Sequence, residues 1–202
     1  MKLSIISLAV LTGIVSANLL KRSEKPYTSS SNVTQSTLFA DQFSDDVLSL
    51  HNSNRVHYGA SALSYDNNLA SGAASYAGQC NWGHSFSGGN YGENLFASGG
   101  SGGIIQGAVG LWMDEASRYD YNNPGFSEAT GHFTQVVWKS TTTLGCGTHV
   151  CNTGSPFGLG DWTYTVCRYT PAGNVIGQFE MLAALSRNPS SSTYNENGMY
   201  FA

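Results

Sequence analysis

Four cysteines, Cys80, Cys146, Cys151 and Cys167, constrain this chain more than any other feature, because each crosslink they form fixes two distant segments side by side. All four lie beyond an N-terminal leader. Lys2 is followed by an apolar run from Ile5 to Val15 and then by Val15-Ser16-Ala17, small residues at signal-peptidase spacing. The run is too short to span a bilayer, so residues 1–17 read as a secretory signal peptide, not an anchor, and no transmembrane segment is expected. An even cysteine count in a secretory context reads as two disulfides. A zinc cluster is the weaker reading, since only Cys146 and Cys151 are close and no C-x-x-C pair exists. Residue spacing by itself leaves all three pairings of four cysteines open.

Lys21-Arg22 is a dibasic pair at which a kexin-type protease would cut, making residues 18–22 a short propeptide and Ser23 the mature start. That layout is typical of fungal secreted proteins. Removing residues 1–22 takes away Lys2, Lys21 and Arg22 and no acid, leaving six basic side chains against thirteen acidic and a net charge of −7. An acidic chain with no basic run is a poor partner for nucleic acid and gains nothing from an anionic membrane. Residues 23–38, rich in Ser, Thr and Asn, cannot bury enough surface to order themselves and read as a flexible linker. That linker holds the chain's one N-x-S/T sequon, which makes Asn32 the expected glycosylation site. A similar tail follows at 186–202, which leaves one folded domain over 39–185.

Within that domain Ser44-Asp45-Asp46 reads as a helix N-cap with an acidic first turn, Phe43, Val47, Leu50 and Asn54 following at helical spacing until Gly59. A second helix is expected from about Asp66 to Gln79, with a small-residue face of Leu69, Ala70, Ala73, Ala74 and Ala77. A third is expected from about Ile104 to Arg118. Thr143–Cys151, Trp162–Tyr169 and Asn174–Leu182 are β-prone runs divided by Gly, Pro and Asn. Helices first and strands later predict an α+β domain with helices on an antiparallel sheet.

Six short motifs occur in order: His51-Asn52-x-x-Arg55, Gly83-His84-Ser85, Gly92-Glu93-Asn94, Trp112-x-x-Glu115 with Tyr119-Asp120-Tyr121, Gly131-His132-Phe133-Thr134-Gln135-Val136-Val137-Trp138, and Cys167-Arg168-Tyr169-Thr170-Pro171-Ala172-Gly173-Asn174. Together they cover about 130 residues and resemble the signatures of the CAP superfamily, named for cysteine-rich secretory proteins, antigen five and pathogenesis-related class-one proteins, its fungal secreted members in particular. The resemblance implies a three-layer α-β-α sandwich with a central antiparallel sheet. It also implies the pairings Cys80–Cys151 and Cys146–Cys167.

The same resemblance gathers His84, His132, Glu93 and Glu115 in one surface cleft. Neutral imidazoles at His84 and His132 can ligate a divalent cation, Zn or Mg, while Glu93 and Glu115 fix the ring tautomers. With two protein ligands such a site is open and weak, and it empties as the imidazoles protonate in mild acid. The competing reading makes the four residues a hydrogen-bonded structural knot. His51, His57 and His149 read as structural or surface residues. A second candidate is the loop Tyr119-x-Tyr121-x4-Phe126, with Pro124 inside it. In fungal relatives a loop of this pattern is linked to sterol binding, whereas in isolation its rings can equally cap the core; Ala129 stands where a further ring would complete the pattern. Gly99-Gly100-Ser101-Gly102-Gly103 fits G-x-S-x-G formally, but so glycine-rich a window fits many patterns and reads as a loop.

The expectation is therefore a secreted, extracellular, monomeric protein without catalysis. It would bind sterols or other small hydrophobic compounds for lipid binding, export or detoxification, with a weak divalent-cation site. The alternatives are an effector or defence modulator that recognises a host or cell-surface protein, and, more remotely, a metal-dependent hydrolase.

Overall fold

The computed structural model describes residues 35–85, 88, 90–99, 105–158 and 160–179, with the side chains of 35–37 excepted. The signal peptide, the dibasic site, the sequon at Asn32, the 186–202 tail and most of the glycine-rich 99–103 window lie outside the described residues. Helix α1 (Gln35–His57) starts nine residues before Ser44, inside the stretch expected to be linker. Ser44 does not cap it: its hydroxyl donates to the Asp41 carbonyl one turn back, 2.8 Å away, which a mid-helix serine can do as readily as capping. Val47, His51 and Arg55, four residues apart, form the stripe of α1 that is fully buried.

Helix α2 (Asn67–Ala77) begins where the sequence predicts, because the Asp66 carboxylate accepts the amides of Asn68 and Leu69 at 2.8 and 3.0 Å. Helix α3 (Ile105–Asp114) buries Ile105, Ala108, Val109 and Trp112 and tightens into a 3₁₀ turn over Glu115–Arg118. The signature around His132 forms a short helix α4 (Gly131–Val136). No helix among the described residues is long and apolar enough to cross a membrane.

Four strands, β1 (Ser64–Tyr65), β2 (Gly92–Gly99), β3 (Thr143–Cys151) and β4 (Trp162–Thr170), lie in the order β1-β3-β4-β2. β2, β3 and β4 are antiparallel, but the two-residue β1 joins β3 in parallel, so the expected antiparallel sheet is a mixed one. The run Asn174–Leu182 is not a strand over its described part, 174–179, which is turn and irregular chain with Gly177 at φ 85°. Val175 and Ile176, which made it look β-prone, are exposed.

The period of two along each strand sorts the core into two layers. Trp162, Tyr164 and Val166 of β4 and Leu95 and Ala97 of β2 meet α2 through Ala73, Ala77 and Tyr76. Leu144, Cys146, Cys167, Tyr169 and Phe96 meet α1, α3 and α4 on the other face. This is the α-β-α sandwich. Helix α2 lies very close to β3: a Cβ on Gly145 would overlap the Ala70 amide, and one on Gly147 the Ala74 backbone. The disulfides are Cys80–Cys151 and Cys146–Cys167, the pairings the resemblance implied. Cys146 and Cys167 are direct register partners on β3 and β4, with Cα atoms 4.1 Å apart.

Candidate functional site

Arg55 locks the frame on which the site is built. Its Nε–H donates to the Ser61 carbonyl, one terminal nitrogen to those of Val136 and Trp138, and the other to that of Thr141, at 2.8–3.1 Å. This holds the C-terminal end of α4 against α1. At the other end, Glu115 accepts the backbone amides of His132 and Phe133 with one oxygen, both at 3.0 Å, and His132 Nδ1–H with the other at 2.7 Å. A carboxylate can only accept here, so the His132 proton sits on Nδ1 and Nε2 keeps its lone pair. The ring stacks on Trp112, 6.1 Å between centroids at an interplanar angle of 10°.

His84 and Glu93 form a second pair. His84 Nδ1–H donates to Glu93 Oε1 at 3.2 Å, which frees its Nε2 in the same way, but the His84 side chain is 62 % exposed where that of Glu93 is 5 %. Glu93 is held by far more than the histidine. The Ser85 amide donates to Oε1 at 2.8 Å, the Ser85 hydroxyl to Oε2 at 2.6 Å, and Arg168 Nε–H to Oε2 at 3.2 Å. Burial alone would raise the Glu93 pKa, yet the bonds from His84, Ser85 and Arg168 together hold it below the usual carboxylate value.

Glu93 points to the α2 face of the sheet, with Arg168, while Asn94, the next residue of β2, points to the α3–α4 face. The Asn94 amide donates to the His132 carbonyl at 3.1 Å and so ties β2 to the second histidine. The predicted tetrad is thus two His–Glu pairs straddling β2, the outer strand of the sheet. Along this strand's free edge runs a cavity of about 460 Å³, lined by Trp82, Leu95, Phe96, Ala97, Leu111, Trp112, Glu115, His132, Pro156 and Phe157. The Trp112 indole N–H donates to the Leu95 carbonyl at 3.2 Å, which shows that this edge faces the cavity. His132 and Glu115 form its polar end, and His84 and Glu93 are not part of its wall.

The donor set decides which ion could sit between the pairs. Glu93 accepts four protein donors and Glu115 three, which leaves the two imidazole nitrogens as the most available ligands. These fit a nitrogen-seeking ion such as Zn²⁺ and suit Mg²⁺ poorly, since Mg²⁺ demands oxygen ligands. Among the described residues no group of three or more His, Cys, Asp or Glu side chains is gathered to hold a metal.

The Tyr119–Phe126 loop divides. Tyr119 is buried, and its ring packs edge-on against Tyr121 and Phe133, at 5.0 and 5.6 Å. Tyr121 also leans on Phe133, and its burial beside Tyr58 pushes its hydroxyl pKa up. Pro124 is half-buried, and of the loop's rings only Phe126 is exposed. Tyr119 and Tyr121 belong to the core. Sequence reasoning missed the far wall of the cavity, Trp82, Pro156 and Phe157, which lies on loops brought together by the Cys80–Cys151 bridge.

The comparisons with known proteins now decide the family. Residues 48–169 match the family model of the cysteine-rich secretory protein family, CAP. The chain belongs to this family. Among its relatives, Repressed by EFG1 protein 1 of Candida albicans is 47 % identical over 141 residues, 67 % of this chain and 48 % of that protein. Protein PRY2 of Saccharomyces cerevisiae is 43 % identical over 141 residues, 68 % of this chain and 40 % of that protein. The chain therefore spans less than half the length of either. Among solved structures, NaASP2 with Zn²⁺ superposes with a TM-score of 0.59 at 27 % identity, over 69 % of this chain and 85 % of that one.

Proposed function

We propose that this CAP protein is an extracellular binder of small, mostly apolar ligands, sterols among them, and not an enzyme. The observation that carries the reading is the cavity along β2: about 460 Å³, walled by Trp82, Leu95, Leu111, Trp112 and Phe157, with the His132–Glu115 pair at one end. Pockets for small ligands are of this size and composition, mostly apolar with a few polar groups that fix orientation. Aromatic faces cover a rigid apolar ligand with little loss of conformational entropy. Two disulfides fit an oxidising, extracellular setting.

Among the described residues nothing in the cleft is arranged as a nucleophile. The Ser85 hydroxyl is bonded to Glu93, Tyr91 and Arg168, with no histidine to activate it. A Zn²⁺ ion on His84 and His132 would supply a positive pole beside the cavity, and NaASP2, which shares the fold, was solved with Zn²⁺. His132 Nδ1–H on Glu115 and His84 Nδ1–H on Glu93 keep both Nε2 lone pairs turned away from the carboxylates.

Fluorescence titration of the purified secreted protein with cholesterol, ergosterol and a fatty acid tests the reading. Leu111 and Phe157 are 38 % and 47 % exposed, so Leu111→Ser and Phe157→Ser should fold yet weaken binding about tenfold each. Phe126→Ala should leave it unchanged. Loss in Phe126→Ala with both cavity variants unaffected would move the ligand to the loop. No saturable binding by a folded sample would turn the reading to a protein partner.

A further inference from the structure

Arg168 stands directly opposite Glu93 in the β2–β4 register. Its side chain is 10 % exposed and is fixed from every side. Nε–H donates to Glu93 Oε2, and a terminal nitrogen donates to the Ser85 hydroxyl, both at 3.2 Å. The guanidinium lies 4.3 Å from the centre of the Tyr91 ring and 5.7 Å from that of Tyr76. Beneath it, a Cβ on Gly72 would fall 2.6 Å from its other terminal nitrogen, so a side chain there would shift the guanidinium from this position.

The consequence falls on Glu93. A carboxylate offers about four lone-pair positions. Glu93 receives four donors, the Ser85 amide and His84 on Oε1, the Ser85 hydroxyl and Arg168 on Oε2, so its acceptor capacity is filled. An ion that took Glu93 Oε2 would have to displace the guanidinium, leaving a buried positive charge without its counter-charge and beside a second cation, and one that took Oε1 would have to displace His84 or the Ser85 amide with the guanidinium still close by. Imidazole nitrogens carry no such penalty.

We propose that Arg168 is a positioning residue that withholds Glu93 from any cation in the cleft and thereby selects nitrogen-seeking ions such as Zn²⁺ over oxygen-seeking ions such as Mg²⁺. The assignment rests on the reading of His84 and His132 as cation ligands. Removing the guanidinium leaves Glu93 Oε2 with the Ser85 hydroxyl alone and gives the His84 side of the cleft a net negative charge.

Calorimetric titration of the metal-free secreted protein with Zn²⁺ and, separately, Mg²⁺ tests this. The wild type should take Zn²⁺ and bind Mg²⁺ far more weakly. Arg168→Gln should gain Mg²⁺ affinity by about tenfold or more, the range over which outer ligands tune metal sites. Glu93→Gln added to Arg168→Gln should abolish that gain, and Arg168→Lys, which keeps a charge on Glu93, should restore wild-type selectivity. A purely structural role for Arg168 would change stability in these variants without changing ion preference. Should Arg168→Gln fail to fold, Ser85→Ala, which strips one donor from Oε2 at the half-buried rim, should show a smaller gain in the same direction. An Arg168→Gln protein, or in its place Ser85→Ala, that folds and gains no Mg²⁺ binding overturns the assignment. Absence of Zn²⁺ binding in the wild type would sink the cation reading alone, and the role of Arg168 would still be decided by whether the variant gains Mg²⁺.

Discussion

His51 makes the acid limit of this fold predictable. It is fully buried in the middle of α1, where its Nδ1–H donates to the Val47 carbonyl at 2.8 Å and its Nε2 accepts the Tyr169 hydroxyl at 2.9 Å. Both ring nitrogens are used by the neutral form, and a second ring proton would face a hydroxyl. Burial, and then the nearby Arg55 charge, pull its pKa down to about 4 from 6.5, against the pull of the Val47 carbonyl. The folded value lies below the unfolded one, so the unfolded chain takes up the proton first as pH falls. The stabilisation is therefore complete above about pH 6.5 and is lost progressively down to about pH 4, where both states are protonated. Between pH 7 and pH 5 that loss is about 2 kcal/mol, from the linkage relation with these two values. With a urea slope of about 2 kcal/mol/M, it lowers the unfolding midpoint by about 1 M. Glu93, with its lowered pKa, adds a loss in the same direction, but only as pH falls through the carboxylate range. His51→Gln removes the titrating group, so its midpoint should start lower at pH 7 and then stay nearly level to pH 5. Urea unfolding of both proteins at pH 7, 6 and 5, with disulfides intact, measures the difference. Equal losses in the two proteins would refute the reasoning and place the acid sensitivity elsewhere.

Two further perturbations follow from the geometry. Arg55→Met should cost about 3 kcal/mol or more in urea unfolding, because it strands the buried carbonyls of Val136, Trp138 and Thr141, and Arg55→Lys should restore only part of this. A Lys variant as stable as wild type would show that charge, not the fork of donors, is what matters there. In the aromatic loop, Tyr121→Ala should lower stability by about 3 kcal/mol and Phe126→Ala by about 0.5 kcal/mol or less, read from thermal melts. The reverse order would return Tyr121 to the surface.

The parts of the fold that were legible in the sequence are those where local chemistry and tertiary contacts agree. Asp66 announces α2 because its carboxylate caps two amides, and β4 is a β-branched and aromatic run between turn residues. Ser44 misled because the hydroxyl that caps a helix bonds equally well to a carbonyl within one. Strand β2 went unread because Gly92, Asn94 and Gly99 have little strand preference, and pairing with β4 along its whole length overrides that. In the site, the histidines and glutamates sit in recognisable motifs, so resemblance found them. The cavity wall did not, since Trp82 and Phe157 are 75 residues apart on loops whose meeting depends on a crosslink, and no periodicity records it.

The close seat of α2 on β3 has a mechanical meaning. A helix held off a sheet by side chains can slide or roll as those chains change rotamer. Helix α2 rests backbone against backbone at Gly145 and Gly147, with no such bearing at those two points. The α2 layer and β3 therefore move as one plate. Relative motion of the layers is left to the opposite face, where α3 and α4 meet the sheet through the rings of Trp112, His132 and Phe133.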